Sequence, residues 1–463
     1  MCGILGMIGK EPMIASMQSG LLHLQHRGQD AVGIFVFDSQ KEASALNKQL
    51  GTLKQEMSFS LADADWGLGH LRYSTIGKGR LQDAQPIYNE GVAVAYNGNI
   101  VNYLPLKRSL EREKVAIKTC CDAEIILHLF KRALRSHRPL FADIVFAATE
   151  VQKQVLGSYS ILFLIEKVGM VAIRDSSGIR PFLFGVRGKD YAFSSENYPI
   201  KVLGFQTITD IAPGEIVFVD HKLNLHRQMG IQKKRAHCSF EYNYFSRPHS
   251  VLDGREVYSV RVELGKQLGI KIKRENLFID AVIPIPATAS PAAIAVAKVL
   301  GTSYEEGFVK QGYVGRTFIM AKQSTRKKAV AQKLVPIGSV FNGRNVLLVD
   351  DSIVRGTVSE RVVCLAREAG ACKVYFASTF PPIRHPCFYG IDFPCEKSLI
   401  AAGKAVDEIA AEIKADALFY NGVAEVQAAL GMRDLCTACF TGKYPTLLDG
   451  HDELKKLRRK DLT

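Results

Sequence analysis

An apolar run that ends in two adjacent carboxylates constrains this chain more than any other stretch. Residues 346–349 are uniformly apolar, which predicts a buried strand of a parallel sheet, and Asp350 and Asp351 follow directly. After a turn rich in Ser, Gly and Thr, residues 359–369 have helical spacing, and residues 374–377 form another apolar run. Strand, loop, helix and strand in this order predict an α/β unit whose ligand binds at the carboxyl ends of the strands.

The loop after that strand has the chemistry of a ribose-phosphate site. Its backbone N–H groups and hydroxyls, at a helix N-terminus, suit a phosphate, while Asp350 and Asp351 can accept hydrogen bonds from the neighbouring hydroxyls of a ribose. An ordinary strand end with a surface turn is the poorer interpretation, because the paired Asp residues are followed by Arg-Gly-Thr. The stretch resembles the ribose-phosphate signature of the type I phosphoribosyltransferases, which bind phosphoribosyl pyrophosphate.

The composition limits the class of protein. The chain has 463 residues, which allow two or three domains, and its 47% hydrophobic and 23% charged residues are typical of a soluble globular protein. No apolar run is long enough to span a bilayer and the first residues lack signal-peptide features, so we expect a cytoplasmic protein without a membrane partner. The ten cysteines then indicate reduced thiols, catalysis or metal binding.

The net charge of +14 is compatible with binding of nucleic acid or of highly anionic small substrates. Part of that charge lies in the basic run 455–460, which is better interpreted as a solvated helix end than as a nucleic-acid arm. We therefore do not expect nucleic acid as a partner.

The pattern of apolar runs changes near residue 230. Before it, short apolar runs alternate with turns and helical patterns, which indicates an α/β or α+β domain with much antiparallel sheet. After the basic segment 232–235, strands and helices alternate, as in a parallel sheet. We expect a first domain over 1–230, closed by a strand near 213–219, and a second domain over 231–463. Strands are predicted at 32–37, 92–96, 159–165 and 281–285, and helices at 12–26, 103–113, 123–134, 257–268, 291–300, 406–413 and 423–430.

Cys2 is a candidate nucleophile. If Met1 is removed, Cys2 carries both a thiol and a free α-amine, whose unperturbed pKa is about 8. That amine can take the thiol proton and later return it, so no histidine partner is required. Cys2 alone is more simply a small apolar residue that opens a strand, and the functional interpretation depends on other motifs.

Several motifs follow Cys2 in the chain. Arg27 lies in Leu-Gln-His-Arg-Gly-Gln-Asp, Arg72 in Gly-His-Leu-Arg-Tyr-Ser-Thr, Asn97-Gly98 just past an apolar run, and Asp122 after two cysteines. Together with the start of the chain, these motifs resemble the glutaminase domain of the class II glutamine amidotransferases, the N-terminal-nucleophile type.

That resemblance implies a role for each residue. Cys2 attacks the side-chain amide of glutamine and forms a glutamyl thioester, while Asn97 and the Gly98 N–H form an oxyanion hole. The family positions that bind glutamine are Arg27, Arg72 and Asp122. Arg72 can hold the α-carboxylate and Asp122 can pair with the α-ammonium.

Each of these residues has a simpler interpretation when it is taken alone. Asn97-Gly98 suits a hairpin turn, Asp122 a helix N-cap and Arg72 a surface ion pair.

A glutaminase domain followed by a phosphoribosyltransferase resembles the amidophosphoribosyltransferase family, and this resemblance runs nearly end to end. It implies an αββα sandwich followed by a parallel-sheet domain. Glutamine would give glutamate and ammonia, and ammonia would displace pyrophosphate from phosphoribosyl pyrophosphate to give phosphoribosylamine for purine synthesis. The resemblance also implies a homo-oligomer and feedback inhibition by purine nucleotides.

The same resemblance assigns the acceptor residues. Gly356, Thr357 and Ser359 fit the 5′-phosphate, and Lys310 and Arg316 could meet pyrophosphate charge, although either cation could be a solvated loop residue. Magnesium would neutralise pyrophosphate. Its site is assigned to Thr288, Asp350 and Asp351. Residues 316–333 would form a flap over the substrate.

A set of cysteines matches the positions at which one branch of the family carries a [4Fe–4S] cluster. They are Cys238, Cys387, Cys436 and Cys439. Thiolates are the usual ligands of such clusters. The CxxC at 436–439 alone would equally suit zinc or a redox pair. The default for the remaining cysteines after Cys2, namely Cys120, Cys121, Cys364, Cys372 and Cys395, is a buried free thiol.

The acceptor half departs from the family pattern at Ala287, Gly312 and Val358, where charged or hydroxyl side chains are usual. A lost charge-assisted hydrogen bond costs about 1.5–3 kcal/mol. We therefore keep two alternatives to the enzyme: a divergent paralogue with a weakened or different acceptor activity, and a ligand-sensing nucleic-acid-binding regulator.

Overall fold

The N-terminal half is a sandwich of antiparallel sheets between helices. The computed structural model describes residues 1–53, 57–74, 79–136, 139–310 and 334–460. In spatial order, the strands of the first sheet are Thr207–Asp210, Leu183–Arg187, Asp190–Ser194, Gly3–Ile8, Trp66–Arg72, Ala31–Asp38 and Ala43–Leu50. Those of the second sheet are Leu225–Met229, Glu215–Asp220, Gly169–Arg174, Gly157–Ile165, Val92–Ile100 and Ile87–Asn89.

Period-two alternation explains why the sheets stack in this way. Along Gly3–Ile8, Ile4 and Ile8 pack into the core between the sheets, whereas Leu5 and Met7 pack into the core beneath helix Ile14–Leu24. The second sheet alternates likewise and turns its other face to helices Asp122–Ala133 and Phe141–Gln154. The resulting order of layers is helix, sheet, sheet and helix, as expected for the αββα sandwich.

The C-terminal half is built on a parallel sheet. Its strands, in spatial order, are Ser303–Tyr304, Ala281–Pro284, Asn345–Asp350, Lys373–Ser378 and Ala417–Tyr420. Along Asn345–Asp350, Val346 and Leu348 pack on one face and Leu347 and Val349 on the other, so the strand is buried on both sides. Burial on both faces is why this strand is uniformly apolar rather than alternating.

Helices cover both sheets of the sandwich and both faces of the parallel sheet. In the N-terminal half they are Ile14–Leu24, Tyr103–Arg112, Asp122–Ala133, Phe141–Gln154 and Asn197–Val202, with a 3-10 turn at Leu81–Asp83. In the C-terminal half they are Val257–Lys273, Ser290–Leu300, Gly338–Phe341, Thr357–Glu368, Val406–Glu412, Val423–Leu430, Ala438–Thr441 and His451–Lys460, with a π-helical turn at Glu241–Phe245 and a 3-10 turn at Glu396–Ser398.

Short ladders complete the fold. His237–Cys238 pairs in parallel with Leu435–Cys436, and Val251–Leu252 pairs with Arg255–Glu256. Phe308–Lys310 pairs antiparallel with Leu334–Pro336. Within the described ranges, no helix is long and apolar enough to cross a membrane.

The structure corrects two local predictions. The strand near 213–219 does not close its sheet, because Leu225–Met229 pairs beyond it at the edge. Asn97 and Gly98 do not follow a strand but lie within Val92–Ile100, opposite Ser160 and Tyr159.

The last described helix crosses back to the N-terminal half. Helix His451–Lys460 lies against Tyr103–Arg112, and Arg108 pairs with Glu453 at 2.8 Å. This helix therefore packs against the sandwich.

Candidate active site

Cys2 opens a cleft at the end of strand Gly3–Ile8. The cleft is lined by Cys2, Arg72, Tyr73, Gln85, Tyr96, Gly98, Cys121 and Asp122. The Tyr73 N–H donates to Cys2 Sγ at 3.4 Å, and Sγ lies 3.6 Å from the Tyr73 carbonyl oxygen. The sulfur is therefore held beside polar main-chain groups, at a point that a small ligand can reach.

The surroundings of Cys2 shift the equilibria of its thiol and of the neighbouring amine. Burial raises the pKa of the Cys2 thiol, against the opposing effects of the amino terminus, the Tyr73 N–H and Arg72. Burial also lowers the pKa of the Met1 α-amine to about 5, with Arg27 and Arg180 adding to the shift. With Met1 in place, the Met1 amine is therefore unprotonated at neutral pH.

The main chain of Gly98 lines part of the cleft. A Cβ at Gly98 would lie 2.0 Å from the Ser158 carbonyl oxygen, so only glycine fits in this strand pairing. Asn97 is fully buried, is not among the residues that line the cleft, and alternates to the other face of the strand from Tyr96. Neither polar atom of its side-chain amide has a hydrogen-bond partner among the described residues. A buried amide of this kind costs stability and calls for a ligand or a function.

Arg72 and Asp122 lie in the same cleft as Cys2. Asp122 is the first residue of helix Asp122–Ala133 but does not cap it, since its Oδ2 accepts from the Ile100 N–H at 3.4 Å. Burial raises the pKa of Asp122, against hydrogen bonds that include one from the Tyr96 side chain. A cation and an anion thus face one small space, as recognition of an amino acid requires.

Arg27 lies against the main chain of Cys2 and is not among the residues that line the cleft. It is fully buried, and its Nε donates to the main-chain oxygen of Cys2 at 3.1 Å. Its remaining donors bind Glu196 at 2.6 Å and Glu241 at 2.8 and 2.9 Å. Arg27 thus supports the main chain at Cys2, while its glutamine-binding role stays a prediction.

Sequence reasoning missed the partners of this guanidinium. Glu196 and Glu241 are each 1% exposed and come from separate parts of the chain. No local pattern identifies such residues, because a buried carboxylate and an exposed one look alike in sequence. Gln85 was also missed, although its Oε1 accepts from the Tyr96 N–H at 2.7 Å at the edge of the cleft.

The second candidate site lies at the carboxyl end of strand Asn345–Asp350, as predicted for such a sheet. Asp350 and Asp351 are each 8% exposed. Burial and the charge of Asp351 raise the pKa of Asp350, and burial raises the pKa of Asp351 to about 6. Two adjacent buried carboxylates concentrate negative charge, which favours a bound cation.

The loop that follows is shaped around Gly356. This residue has φ +75° and precedes helix Thr357–Glu368, and a Cβ there would meet Ile400 Cδ1 at 2.3 Å. A side chain at this position would be strained on both counts. Ser359, 2% exposed, lies in the first turn of the helix with Thr357, so the backbone N–H groups of a helix N-terminus border the loop.

The structure describes some of the remaining candidate residues of the second site and not others. Thr288 follows strand Ala281–Pro284, and its side chain hydrogen-bonds Asp351. Lys310 is exposed at the end of strand Phe308–Lys310. Arg316, Gly312 and the segment 316–333 lie outside the described residues.

The predicted cluster cysteines meet in one apolar core. Cys238 and Cys436 are partners in the parallel ladder, Cys387 lies in the same buried core, and Cys439 packs against it. Burial raises the pKa of Cys439, and the charges of the other three thiols add to the shift. Across the described ranges, no three His, Cys, Asp or Glu side chains are arranged to hold a single metal ion.

A short segment of the C-terminal half, residues 388–390, contacts the strands beside the Cys2 cleft. The Asn99 side chain donates to the Phe388 carbonyl oxygen at 2.9 Å, and Ser158 Oγ donates to that of Tyr389 at 2.9 Å. A Cβ at Gly390 would lie 3.2 Å from the Gly98 oxygen. The C-terminal half therefore contacts the rim of the Cys2 cleft directly.

Comparison with known proteins gives one consistent result. The glutamine amidotransferase domain family matches residues 70–201. The amidophosphoribosyltransferase of Escherichia coli strain K12 is 43% identical over 468 residues, covering 96% of this chain and 93% of the relative. The chain belongs to the amidophosphoribosyltransferase family.

Solved structures of amidophosphoribosyltransferases have the same fold. The Bacillus subtilis enzyme, complexed with ADP and GMP, gives a TM-score of 0.87 at 36% identity, covering 97% of this chain and 100% of that one. A structure described as the allosteric regulatory enzyme of purine biosynthesis also gives 0.87 at 37% identity, covering 96% and 97%. The full-length match to amidophosphoribosyltransferases supports the transferase hypothesis over the nucleic-acid-binding regulator.

Proposed function

We propose that this chain makes 5-phosphoribosylamine from glutamine and phosphoribosyl pyrophosphate, releasing glutamate and pyrophosphate. This is the first committed step of purine synthesis, and we expect it in the cytoplasm. One observation carries the proposal: the cleft of Cys2 and the junction segment of the phosphoribosyltransferase half meet at Gly98 and Gly390. Contact between the two halves beside the cleft suits the transfer of a small product from one half to the other.

In the glutaminase half, Cys2 is the proposed nucleophile. Once Met1 is removed, the α-amine of Cys2 takes the thiol proton, and the thiolate attacks the glutamine amide carbon. The amine then donates that proton to the leaving nitrogen, and water hydrolyses the thioester to glutamate. The Gly98 N–H and the Asn97 amide are the proposed oxyanion donors, which is supported by the otherwise unbonded Asn97 side chain.

Arg72 and Asp122 are the proposed recognition pair for glutamine. The guanidinium suits the α-carboxylate and the carboxylate suits the α-ammonium, and both line the cleft with Cys2. Arg27 is a positioning residue in this scheme, since it holds the main-chain oxygen of Cys2.

Ammonia must reach the acceptor without being protonated or lost. Phe388, Tyr389, Val101 and Ile179 lie in one buried core that extends from the rim of the cleft into the C-terminal half. Apolar walls exclude water, and exclusion of water keeps ammonia neutral and nucleophilic.

In the acceptor half, the proposed roles follow the order of the loop. Asp350 and Asp351 bind the ribose side, and the loop of Gly356, Thr357 and Ser359 binds the 5′-phosphate. Lys310 and Arg316 are proposed to meet the pyrophosphate. Neutral ammonia attacks carbon 1 of the ribose, pyrophosphate leaves with the bonding electron pair, and the new amine loses a proton.

Magnesium is proposed at Asp350, Asp351 and the Thr288 hydroxyl. A pair of buried carboxylates with raised pKa values fits an ion that takes few protein ligands and completes its shell with water and phosphate. When bound, it would neutralise charge on the leaving pyrophosphate.

An iron–sulfur cluster is proposed at Cys238, Cys387, Cys436 and Cys439. The four cysteines lie in or against one buried core, and thiolates are the usual ligands of such a cluster. When bound, the cluster would cross-link the segments that carry these cysteines.

Regulation, assembly and domain limits are proposed by relationship. The Bacillus subtilis relative was solved with ADP and GMP, and we propose that purine nucleotides inhibit this chain. From the family resemblance alone, we propose that it is a homo-oligomer. We also propose domains over 1–230 and 231–463, a boundary supported by the segment 230–236, which has no helix or strand.

The decisive experiment is release of pyrophosphate from phosphoribosyl pyrophosphate with magnesium, measured for wild type and Cys2→Ala. With glutamine, only wild type should be active, whereas with added ammonia both should be. Absence of release by either protein under both conditions would overturn the synthase assignment. A brown protein with broad visible absorption would support the cluster, and a colourless anaerobic preparation containing zinc would exclude it.

A further inference from the structure

The π-helical turn Glu241–Phe245 lies between the two sites and is not explained by either of them. Glu241, Tyr242 and Asn243 are 1–2% exposed, so their polar groups are deeply buried at the junction of the halves. Buried polar groups are costly unless they are fully hydrogen-bonded. Turns of this type are uncommon in proteins and frequently occur at functional sites.

One end of the turn reaches the acceptor site. Asn243 Nδ2 donates to the main-chain oxygen of Asp351 at 2.9 Å, and Asn243 Oδ1 accepts from Thr379 Oγ1 at 2.9 Å. Thr379 Oγ1 also lies 3.1 Å from the Asp351 oxygen, but its single proton can serve one acceptor at a time. While the Thr379 hydroxyl donates to Asn243, it cannot also donate to the Asp351 oxygen. Asn243 Nδ2 supplies the donor for that oxygen.

The other end of the turn reaches the nucleophile. Both Glu241 carboxylate oxygens accept from Arg27 Nη2, at 2.8 and 2.9 Å, and Arg27 Nε holds the main-chain oxygen of Cys2. Arg180 Nη1 adds a bond to Glu241 at 3.2 Å. Glu241, together with Glu196, thus fixes the guanidinium that holds the Cys2 main chain.

The turn itself is held as a rigid unit. Arg261, 3% exposed, donates to the main-chain oxygens of Tyr242, Tyr244 and Ser246 at 3.0, 3.2 and 2.8 Å. Since one side chain ties its carbonyl groups together, the turn presents Glu241 and Asn243 in a fixed relative orientation.

We propose that Glu241–Phe245 is a positioning element shared by both sites, in which Asn243 sets the main chain of Asp351 and Glu241, through Arg27, sets the main chain of Cys2. This inference rests on the proposed function. It makes Asn243 and Glu241 positioning residues with separable kinetic effects, because each acts on a different half-reaction.

Kinetics of four proteins test the proposal. Asn243→Leu keeps the shape of the side chain without its hydrogen bonds, and Asn243→Asp keeps the acceptor for Thr379 but loses the donor to Asp351. Both should raise the KM for phosphoribosyl pyrophosphate about ten-fold in the ammonia-dependent reaction, and hydrolysis of glutamine should change by less than about two-fold. Glu241→Gln should show the reverse, with glutamine hydrolysis about ten-fold slower and an unchanged KM for phosphoribosyl pyrophosphate.

Asn102→Leu is the matched control for a purely structural effect. Asn102 is also a buried asparagine with two main-chain bonds, from its Nδ2 to the Gln154 oxygen at 2.8 Å and from the Leu156 N–H at 2.9 Å to its Oδ1. Its loss should lower the unfolding temperature without changing the KM for phosphoribosyl pyrophosphate.

Two results would overturn the inference. One is a KM for phosphoribosyl pyrophosphate that stays at the wild-type value in folded Asn243 variants. The other is a proportional fall of both half-reactions that follows thermal stability, as for a structural residue. If Asn243→Leu does not fold, Asn243→Asp and Glu241→Gln decide the question by the same criteria. Failure of wild type to release pyrophosphate would instead refute the proposed function.

Discussion

Arg27 Nε donates to the main-chain oxygen of Cys2 at 3.1 Å, so the proposed nucleophile rests on a buried guanidinium. That guanidinium pairs with Glu196 at 2.6 Å. Burial acts to raise the pKa of Glu196, but His26 and Arg27 outweigh it and hold that pKa well below its usual range. Glu196 is therefore ionised, and in this form it pairs with Arg27, which holds the Cys2 main chain.

Replacement of Glu196 by glutamine should destabilise the protein by about 3 kcal/mol at neutral pH, because a buried guanidinium loses a charged partner. Since the folded pKa is depressed, this contribution is full above the unfolded value of 4.5 and is lost as pH falls towards the folded pKa. Wild type should lose about 1 kcal/mol through Glu196 between about pH 7 and about pH 4, and the variant should not.

Urea unfolding at both pH values measures this difference. Glu150→Gln, at a pair with Lys153 whose cation is half-exposed, is the control and should leave the pH dependence of wild type unchanged. Equal pH dependence in wild type and Glu196→Gln would argue against an ionised Glu196.

Replacement of Asn97 by leucine should separate activity from stability. The Asn97 amide is buried and has no hydrogen-bond partner within the described residues, so an apolar side chain of similar shape should stabilise the fold by about 1 kcal/mol. Loss of an oxyanion donor should meanwhile slow glutamine hydrolysis by about 10²–10³-fold.

Chemical denaturation and glutaminase assays on the same preparation check both parts of the Asn97 prediction. Asn99→Leu is the comparison, because Asn99 donates to the Phe388 oxygen and should lose stability rather than gain it. A destabilised Asn97→Leu would mean that the amide is already satisfied in the folded protein.

Replacement of Gly356 by alanine should weaken binding of phosphoribosyl pyrophosphate. Alanine would have to adopt the left-handed backbone of Gly356, and its Cβ would lie 2.3 Å from Ile400 Cδ1, so the loop must shift. We expect a KM for phosphoribosyl pyrophosphate raised by about ten-fold or more in the ammonia-dependent reaction.

Gly338→Ala is the matched control for Gly356, because a Cβ at Gly338 meets no described atom within 4 Å and its φ is not positive. Steady-state kinetics with ammonia should leave this control at the wild-type KM. An unaltered KM in Gly356→Ala would show that the loop does not bind the phosphate.

Retention of Met1 should strongly slow the use of glutamine. Met1 is 2% exposed and packs in the core that contains Phe388 and Tyr389, and with Met1 present the free amine is not on the nucleophile. Loss of the proposed proton acceptor should slow glutamine hydrolysis by about 10²–10⁴-fold. A preparation with a blocked N-terminus, verified by mass spectrometry, should still use ammonia. Glutamine use by the blocked protein would exclude the amine as the base.

The sequence predicted the features that local patterns encode. The strand before Asp350 is buried on both faces, which leaves an uninterrupted apolar run. Helix Val423–Leu430 was predicted with its observed limits, because Gly431 ends it in a left-handed conformation. The fold class was predicted from family motifs and is confirmed by the solved relatives.

Features that depend on distant contacts could not be predicted. The burial of Arg27 follows from Glu196 and Glu241, and neither residue has a neighbour in sequence that marks it. Strand Ala43–Leu50 was missed because it is half-exposed and contains polar residues, and its place at the sheet edge explains both properties. The roles of Asn97 and Arg72 remain predictions, because they concern a substrate.

The ladder between His237–Cys238 and Leu435–Cys436 has a consequence for the order of folding. It joins segments about 200 residues apart, as shown by the bond from Ser239 Oγ to the Cys436 oxygen across 197 positions. The parallel sheet is contained within that loop. Closing the loop in an unstructured chain would cost more entropy than closing it after the sheet has brought its ends together. The ladder should therefore form late, after the parallel sheet of the C-terminal half has folded.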